Sequence, residues 1–389
     1  MLSFHSDFIS IADWSWDGKR DYLKTFGIYM PIIPYIVSMY SQLFSSYTDY
    51  IHGAVFLKAF FILIDAFSFS LVIALIPNLN PRRFWLTLFL TLINLSLIYN
   101  TIFWGQVDTL HSALIFCSFV ALVTNRYKLV WLLFTVAIFT KIVSVIFLPI
   151  IGIYIINELV CNHLSIKQIV IDFAVVPFAV VLILSPIIIS GALPEYIEIT
   201  KGVFSDYDAV SANAFNIYYL ISNNTNLIAV SSSTTLFRSF TYAQFGLLTF
   251  SVSMFVCLLP IIKIVHGNIF LNQRKEISLE LVLLAFIIIP LLFFFFTTKV
   301  RERFAHPYLL SLTLYCFYHK RYVFWILGTL VYALQLEAVL KYTKVWGGIF
   351  ISLFDETNLY QPTLIAVFFL VLIVCLFREI DKVMPQKSL

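Results

Sequence analysis

The stretch Trp104-Gly105-Gln106-Val107-Asp108-Thr109-Leu110-His111 gathers a carboxylate, an amide and an imidazole within one short link. Its glycine gives the backbone freedom, and its indole suits a membrane–water interface. Apolar runs at 84–103 and 110–123 flank it, each long enough, or nearly so, to cross a bilayer. So many hydrogen-bonding groups exceed what a turn requires, and they read as part of an active site at one membrane face. The competing reading is an ordinary interfacial turn with Asp108 as the N-cap of the next helix. A second polar stretch, Lys299-Val300-Arg301-Glu302-Arg303, carries three cations and suits the holding of an anion.

Apolar runs must position these groups. Apolar residues make up 61% of the 389 and charged residues 12%, and mean hydropathy is +0.93. The expected fold is an all-α polytopic membrane protein. The 40 Phe and 21 Tyr fit lipid-facing helices with aromatic belts. Net charge is +4, which here reports loop bias. No basic cluster with interleaved aromatics supports nucleic-acid binding. The five cysteines are scattered, four of them within apolar runs, and neither they nor any other cluster has metal-ligand spacing. No apolar signal-peptide core is visible in residues 1–26.

Candidate spans fall at 28–47, 54–76, 84–103, 108–124, 129–157, 168–190, 240–265, 278–297, 304–318, 322–342 and 362–377. The 129–157 run is too long for one simple span and reads as two short helices broken at Lys141. Pro31 and Pro34 make the 28–47 run the weakest helix. Residues 1–26, acidic and aromatic, suit an interfacial segment. The 191–239 stretch is the one sizeable loop expected outside the membrane. No internal repeat is visible, and a single domain spanning 1–389 is expected. Arg82/Arg83, Arg126/Lys128, Arg274/Lys275, Lys320/Arg321 and Arg378/Lys382 mark the cytoplasmic side. Alternation then puts 104–108, 191–239 and 298–303 on the far side. Residues 1–26 do not fit this scheme; either an early run fails to cross or a helix lies upstream of Met1.

Four landmarks occur in order: Tyr29-Met30-Pro31-Ile32-Ile33-Pro34-Tyr35; Trp104-Gly105-Gln106-Val107-Asp108; Thr140-Lys141 to Pro149 with Ser211-Ala212-Asn213-Ala214-Phe215-Asn216; and Thr298-Lys299-Val300-Arg301-Glu302-Arg303-Phe304. With them the chain resembles the GT-C class of integral-membrane glycosyltransferases. It is most similar to bacterial and archaeal relatives of the GPI mannosyltransferase II family and of polyprenol-phosphate-mannose-dependent enzymes. The resemblance covers roughly residues 5–310. It departs at Arg301, where relatives usually carry His, and in lacking the helix that usually precedes the acidic loop.

The resemblance implies a bundle of about 10–12 transmembrane helices with short outer-face loops. It implies inverting transfer of a hexose, such as mannose, from a polyprenyl-phosphate donor to a glycan or lipid-linked acceptor. A carboxylate would take the acceptor proton, and cations would hold the leaving phosphate. Asp7 is the expected base, with Asp13 the alternative. Asp108 would orient the base or acceptor, and Gln106 would hydrogen-bond sugar hydroxyls. Arg301 and Arg303 are the phosphate candidates, with Lys299 and His306 nearby. Lys141, costly to bury alone at roughly 2.5–3.5 kcal/mol, should pair with a carboxylate, Asp65 being one choice, or reach the phosphate. Asn213 and Asn216, three apart, fit one helix face on the acceptor side. Asn223-Asn224-Thr225 is a glycosylation sequon by pattern. No metal or cofactor is expected; the donor is a substrate. Expected partners are membrane lipid, the lipid-linked sugar and the glycan acceptor. A prokaryotic plasma membrane is the expected location, or the ER membrane in a eukaryote. A lipid-linked-sugar flippase or transporter and a polysaccharide polymerase are the competing functions.

Overall fold

The computed structural model describes residues 13, 16, 30–75, 81–205, 208–222, 226–340 and 360–383. The chain is an all-α polytopic membrane protein. Seven helices are long and apolar enough to cross a membrane, and five shorter apolar helices accompany them. The described residues divide into two compact units, Met1–Val145 with Lys167–Asp206, and Ile146–Ile166 with Tyr207–Leu389.

The first unit opens with α1 (Ile32–Ser41), only ten residues long, with Pro31 at its N-cap. Pro34 sits in its first turn, where a missing N–H costs no helical bond. Then come α2 (Tyr47–Leu75), α3 (Pro81–Leu92) and the single turn α4 (Leu95–Ile98). The Asn94 side chain caps α4 by accepting from Ser96 N and Leu97 N at 3.0 and 3.3 Å. A π-turn follows at Tyr99–Phe103, then α5 (Asp108–Val123) and α6 (Tyr127–Thr140). After the chain's excursion into the second unit come α8 (Ile166–Phe173), α9 (Val175–Ile189) and α10 (Leu193–Ser205). The α5–α6 hairpin is the packing centre: α2 lies against α5, while α1 and α9 lie against α6. Ile33, Val37, Leu57, Phe61 and Val107 form one buried cluster, which ties α1 and α2 to the start of α5. The Tyr35 hydroxyl adds a 2.8 Å bond to Ile183 O on α9.

The expected break at Lys141 is present. Helix α6 ends at Thr140, Lys141 is extended, and a 3-10 segment runs from Ile142 to Phe147. Ser144 Oγ donates to Ala137 O at 3.0 Å or Lys141 O at 2.9 Å, so the end of α6 is satisfied without a further helical turn.

The second unit holds α7 (Leu148–Val160), the turn α11 (Tyr218–Ile221), a small hairpin of β1 (Thr235–Phe237) and β2 (Phe240–Thr241), and α12 (Tyr242–Leu271). It continues with α13 (Leu279–Phe296), α14 (Tyr308–Tyr318), α15 (Tyr322–Leu340) and α16 (Tyr360–Val383). The strands pair antiparallel, Phe237 opposite Phe240. Thr241 and Gln244 form a capping box that starts α12. Helix α13 is apolar all round and almost wholly buried, as an apolar rod surrounded by α12, α14 and α16 must be. Its neighbour α12 leaves Leu247, Val252, Phe255 and Phe270 exposed, a surface suited to lipid. Asn268 joins α12 to α7 and to the following turn. Its Nδ2 donates to Asn157 Oδ1 and Lys275 O, each at 2.7 Å, and its Oδ1 accepts from Lys275 N at 2.8 Å.

The 191–239 stretch, expected outside the membrane, carries short elements where it is described. It contains α10, α11, a short 3-10 turn and most of the hairpin. Its alternation of apolar and polar residues is enough to make short helices, though it is too polar to read as a span.

Candidate functional site

In the first unit the Trp104–His111 stretch is a buried, hydrogen-bonded turn. The π-turn before it lowers the chain so that Trp104 N bonds Tyr99 O and Gln106 N bonds Asn100 O, both at 3.0 Å. Gly105 follows with φ +76, a conformation that a side chain disfavours. Trp104, Gln106, Asp108 and His111 are all buried, Gln106 to 1% exposure and Asp108 to 4%. The cap of α5 is Val107, with no side-chain bond, so the reading of Asp108 as N-cap is corrected. Asp108 instead begins the helix and accepts a hydrogen bond and ion pair from Lys141 Nζ. Lys141 can reach because it leaves α6 in extended conformation, at the end of the helix beside the start of α5. Asp65 is therefore not the lysine's partner; the Thr109 hydroxyl bonds the Asp65 carboxylate, and Thr101 and Thr109 hydroxyls meet at 2.8 Å.

Two participants here were not singled out in the sequence. Lys58, buried in α2, donates to Ile102 O at 2.8 Å and holds the π-turn. Asn100, fully buried, lies on that same turn. Each is a polar residue in an apolar run, and that is the signal by which both could have been found.

In the second unit the segment after α13 is braced by the chain at 208–216. Lys299 N donates to Ala209 O at 3.1 Å, and Ala212 N to Val300 O at 3.0 Å. Arg301 forms isolated bridges with Ala212 and Asn213. Asn213 and Asn216 do not share a helix face: Asn213 has φ +63. Asn216 Nδ2 lies 3.3 Å from Phe294 O, at the carboxyl end of α13. Its role there is to satisfy the end of a helix. Gln335, an amide inside the apolar α15, grips the same segment, with Phe215 N donating to its Oε1 at 2.9 Å and its Nε2 donating to Asn213 O at 2.7 Å.

The cations of this segment differ. Arg303 is buried and its guanidinium bonds Glu302 Oε1 at 3.1 Å. Tyr332 Oη donates to Arg303 O at 3.2 Å and lies 3.3 Å from His306 Nδ1, which makes His306 part of the same buried cluster. Arg301 is partly exposed, and Lys299 Nζ lies 3.7 Å from Asp208 Oδ1. Arg301 is thus half-buried, whereas Arg303 is buried against its own neighbour Glu302. Asp13 accepts a hydrogen bond from the Tyr47 hydroxyl and is exposed. Asp7 and the 223–225 sequon lie outside the described residues. Among the described residues no group of three metal-binding side chains occurs.

Asp208 gives this segment a pH dependence. Hydrogen bonds from the Ser231 and Ser232 hydroxyls, at 2.5 and 2.6 Å, hold its carboxyl below the usual carboxylate range, and Lys299 adds to the effect. A depressed folded pKa favours the folded contacts above the ordinary value, and that favour is lost as pH falls through the folded value. Acidification below about pH 4 is therefore expected to raise amide exchange in 208–222 and 226–232 relative to the intrinsic rate at that pH. Asp208→Asn should show the raised exchange already at neutral pH. Exchange in the wild type that does not change with acid relative to the intrinsic rate would refute the link.

No known family model matches the chain, and no curated protein matches it.

Proposed function

We propose that the protein is a membrane glycosyltransferase that moves a hexose from a polyprenyl-phosphate donor to a glycan or lipid-linked acceptor. The observation that carries the proposal is the ion pair of Asp108 with Lys141 in the buried 104–111 turn. A membrane protein gains little from a buried pair that apolar packing could replace. A carboxylate retained at such a turn, beside Gln106, suits recognition and orientation of sugar hydroxyls. Arg301, partly exposed and fixed through its backbone to 212–213, suits the donor's phosphate, since a guanidinium forks onto two oxygens.

In the proposed step the acceptor oxygen attacks the anomeric carbon. The bond from that carbon to the phosphate oxygen breaks, and the electron pair leaves with the polyprenyl phosphate. The acceptor proton passes to a carboxylate of the amino-terminal segment, Asp7 or Asp13. Arg301 balances the charge that gathers on the phosphate. The direct test incubates the purified protein in nanodiscs with polyprenyl-phosphate-hexose labelled in the sugar. Label should move from lipid to acceptor, and a labelled nucleotide-sugar should not replace the lipid donor. Label that stays on the lipid while crossing between leaflets of a proteoliposome would replace transfer with transport.

A further inference from the structure

Tyr332 and Gln335 lie three residues apart on α15, and both are fully buried. Positions three apart share one face of a helix. That face touches both chain segments that meet at Arg301. Tyr332 Oη donates to Arg303 O at 3.2 Å. Gln335 Nε2 donates to Asn213 O at 2.7 Å, and its Oε1 accepts from Phe215 N at 2.9 Å. A buried amide is costly unless its ends are bonded, and here both ends go to backbone. Gln335 therefore fixes the course of a chain segment rather than a neighbouring side chain.

The segment that Gln335 holds is closed on itself. Ser211 Oγ donates to Ala214 O at 2.6 Å and accepts from Ala214 N at 3.1 Å. Asn213 within it is left-handed, with φ +63. The 211–214 turn therefore keeps its form without the amide. What the amide adds is attachment to a helix long and apolar enough to span the membrane. The same turn carries Arg301. Ala212 N donates to Val300 O at 3.0 Å, and Ala212 and Asn213 both bridge Arg301. A shift of the turn is thus passed to the Arg301 backbone and to the guanidinium it bears. A fork that must meet two phosphate oxygens tolerates little displacement.

We propose that Gln335 is a positioning residue: through the 211–215 backbone it sets the place of Arg301, and with it the affinity for the phosphate of a polyprenyl-phosphate lipid. The inference rests on the assignment of Arg301 to that phosphate. The test measures saturable binding of radiolabelled undecaprenyl phosphate to the full-length protein in nanodiscs, with labelled undecaprenol as the comparison lacking phosphate. The wild type should prefer the phosphate lipid, and Arg301→Ala should lose that preference. Gln335→Met is similar in length and can make neither bond. It should weaken undecaprenyl phosphate binding about tenfold and leave undecaprenol binding as it was. In the Arg301→Ala background it should cause no further loss. Gln335→Asn keeps both groups one methylene short and should give an intermediate loss; it stands in if Gln335→Met does not fold. Wild-type binding of undecaprenyl phosphate by the Gln335 variants would overturn the proposal, whatever their melting temperatures. So would a wild type without preference for the phosphate, or a further loss of about tenfold when Gln335→Met is added to Arg301→Ala. Binding that follows the expected pattern in a protein that moves no sugar would support this inference and sink the transfer reading alone.

Discussion

Lys141→Met is expected to destabilise the protein by about 3 kcal/mol. Breaking a buried ion pair from one side costs about 3–5 kcal/mol, because the remaining charge stays in a medium that solvates it poorly. Asp108 is 4% exposed, so its charge has little access to water, whereas the Lys141 side chain is 23% exposed. That partial exposure places the expected loss near the lower bound. Methionine keeps the length and apolar stem of lysine, so lost packing contributes little. Replacing both partners removes the stranded charge. Asp108→Asn with Lys141→Met should therefore unfold closer to the wild type than Lys141→Met alone. Thermal unfolding in detergent, followed by monodispersity, measures these and Asp108→Asn alone. Lys141→Met that melts with the wild type would mean that the pair contributes nothing, and purely additive losses would mean that the two residues act separately.

Gly246 should be the least replaceable of the described glycines of the second unit. A Cβ there would meet the Tyr218 hydroxyl and come within 2.7 Å of Phe296 O. The backbone oxygen cannot swing away as a side chain could. Tyr218 Oη donates to that same oxygen at 2.8 Å, so one methyl group disturbs both members of a contact that closes the end of α13. Alanine would gain roughly 1 kcal/mol of helix propensity over glycine. Overpacking costs about 1–3 kcal/mol, so Gly246→Ala is expected to be mildly destabilising, and the larger, β-branched Gly246→Val strongly so. Gly152 in α7 supplies the contrast, since a Cβ there meets nothing within 4 Å. Gly152→Ala should be neutral or stabilising by up to about 1 kcal/mol. A Gly246→Val protein that melts with the wild type would show that α12 and the end of α13 approach less closely than the structure has them.

The apolar runs made the helices legible in the sequence, because bilayer thickness and backbone hydrogen bonding leave few alternatives. The break at Lys141 was legible for the same reason: a lone cation and a run too long for one span. Pairing was not. Asp65 and Asp108 are both acids near apolar runs, and only the rotational phase of α2 and α5 decides which one faces Lys141. The phase depends on tertiary packing, and these helices lack a strong amphipathic face that would reveal it. The same limit hid Gln335, a single amide whose two backbone partners lie more than a hundred residues earlier. Asn216 reads in the sequence as sharing a helix face with Asn213, but its amide instead satisfies the open end of α13. Arg301 and Arg303 look alike in sequence, and tertiary packing separates them: Arg303 is buried against Glu302 and Arg301 is half-buried.

The most direct measurement of the central claim is sugar transfer by three purified proteins in parallel: the wild type, Asp108→Asn and Arg301→Ala. Each is first shown to be inserted and monodisperse. The wild type should transfer hexose from the polyprenyl-phosphate donor, and each substitution should lower the rate by about a hundredfold or more. Transfer at the wild-type rate by both variants would contradict the account, because neither the buried carboxylate nor the half-buried guanidinium would then take part.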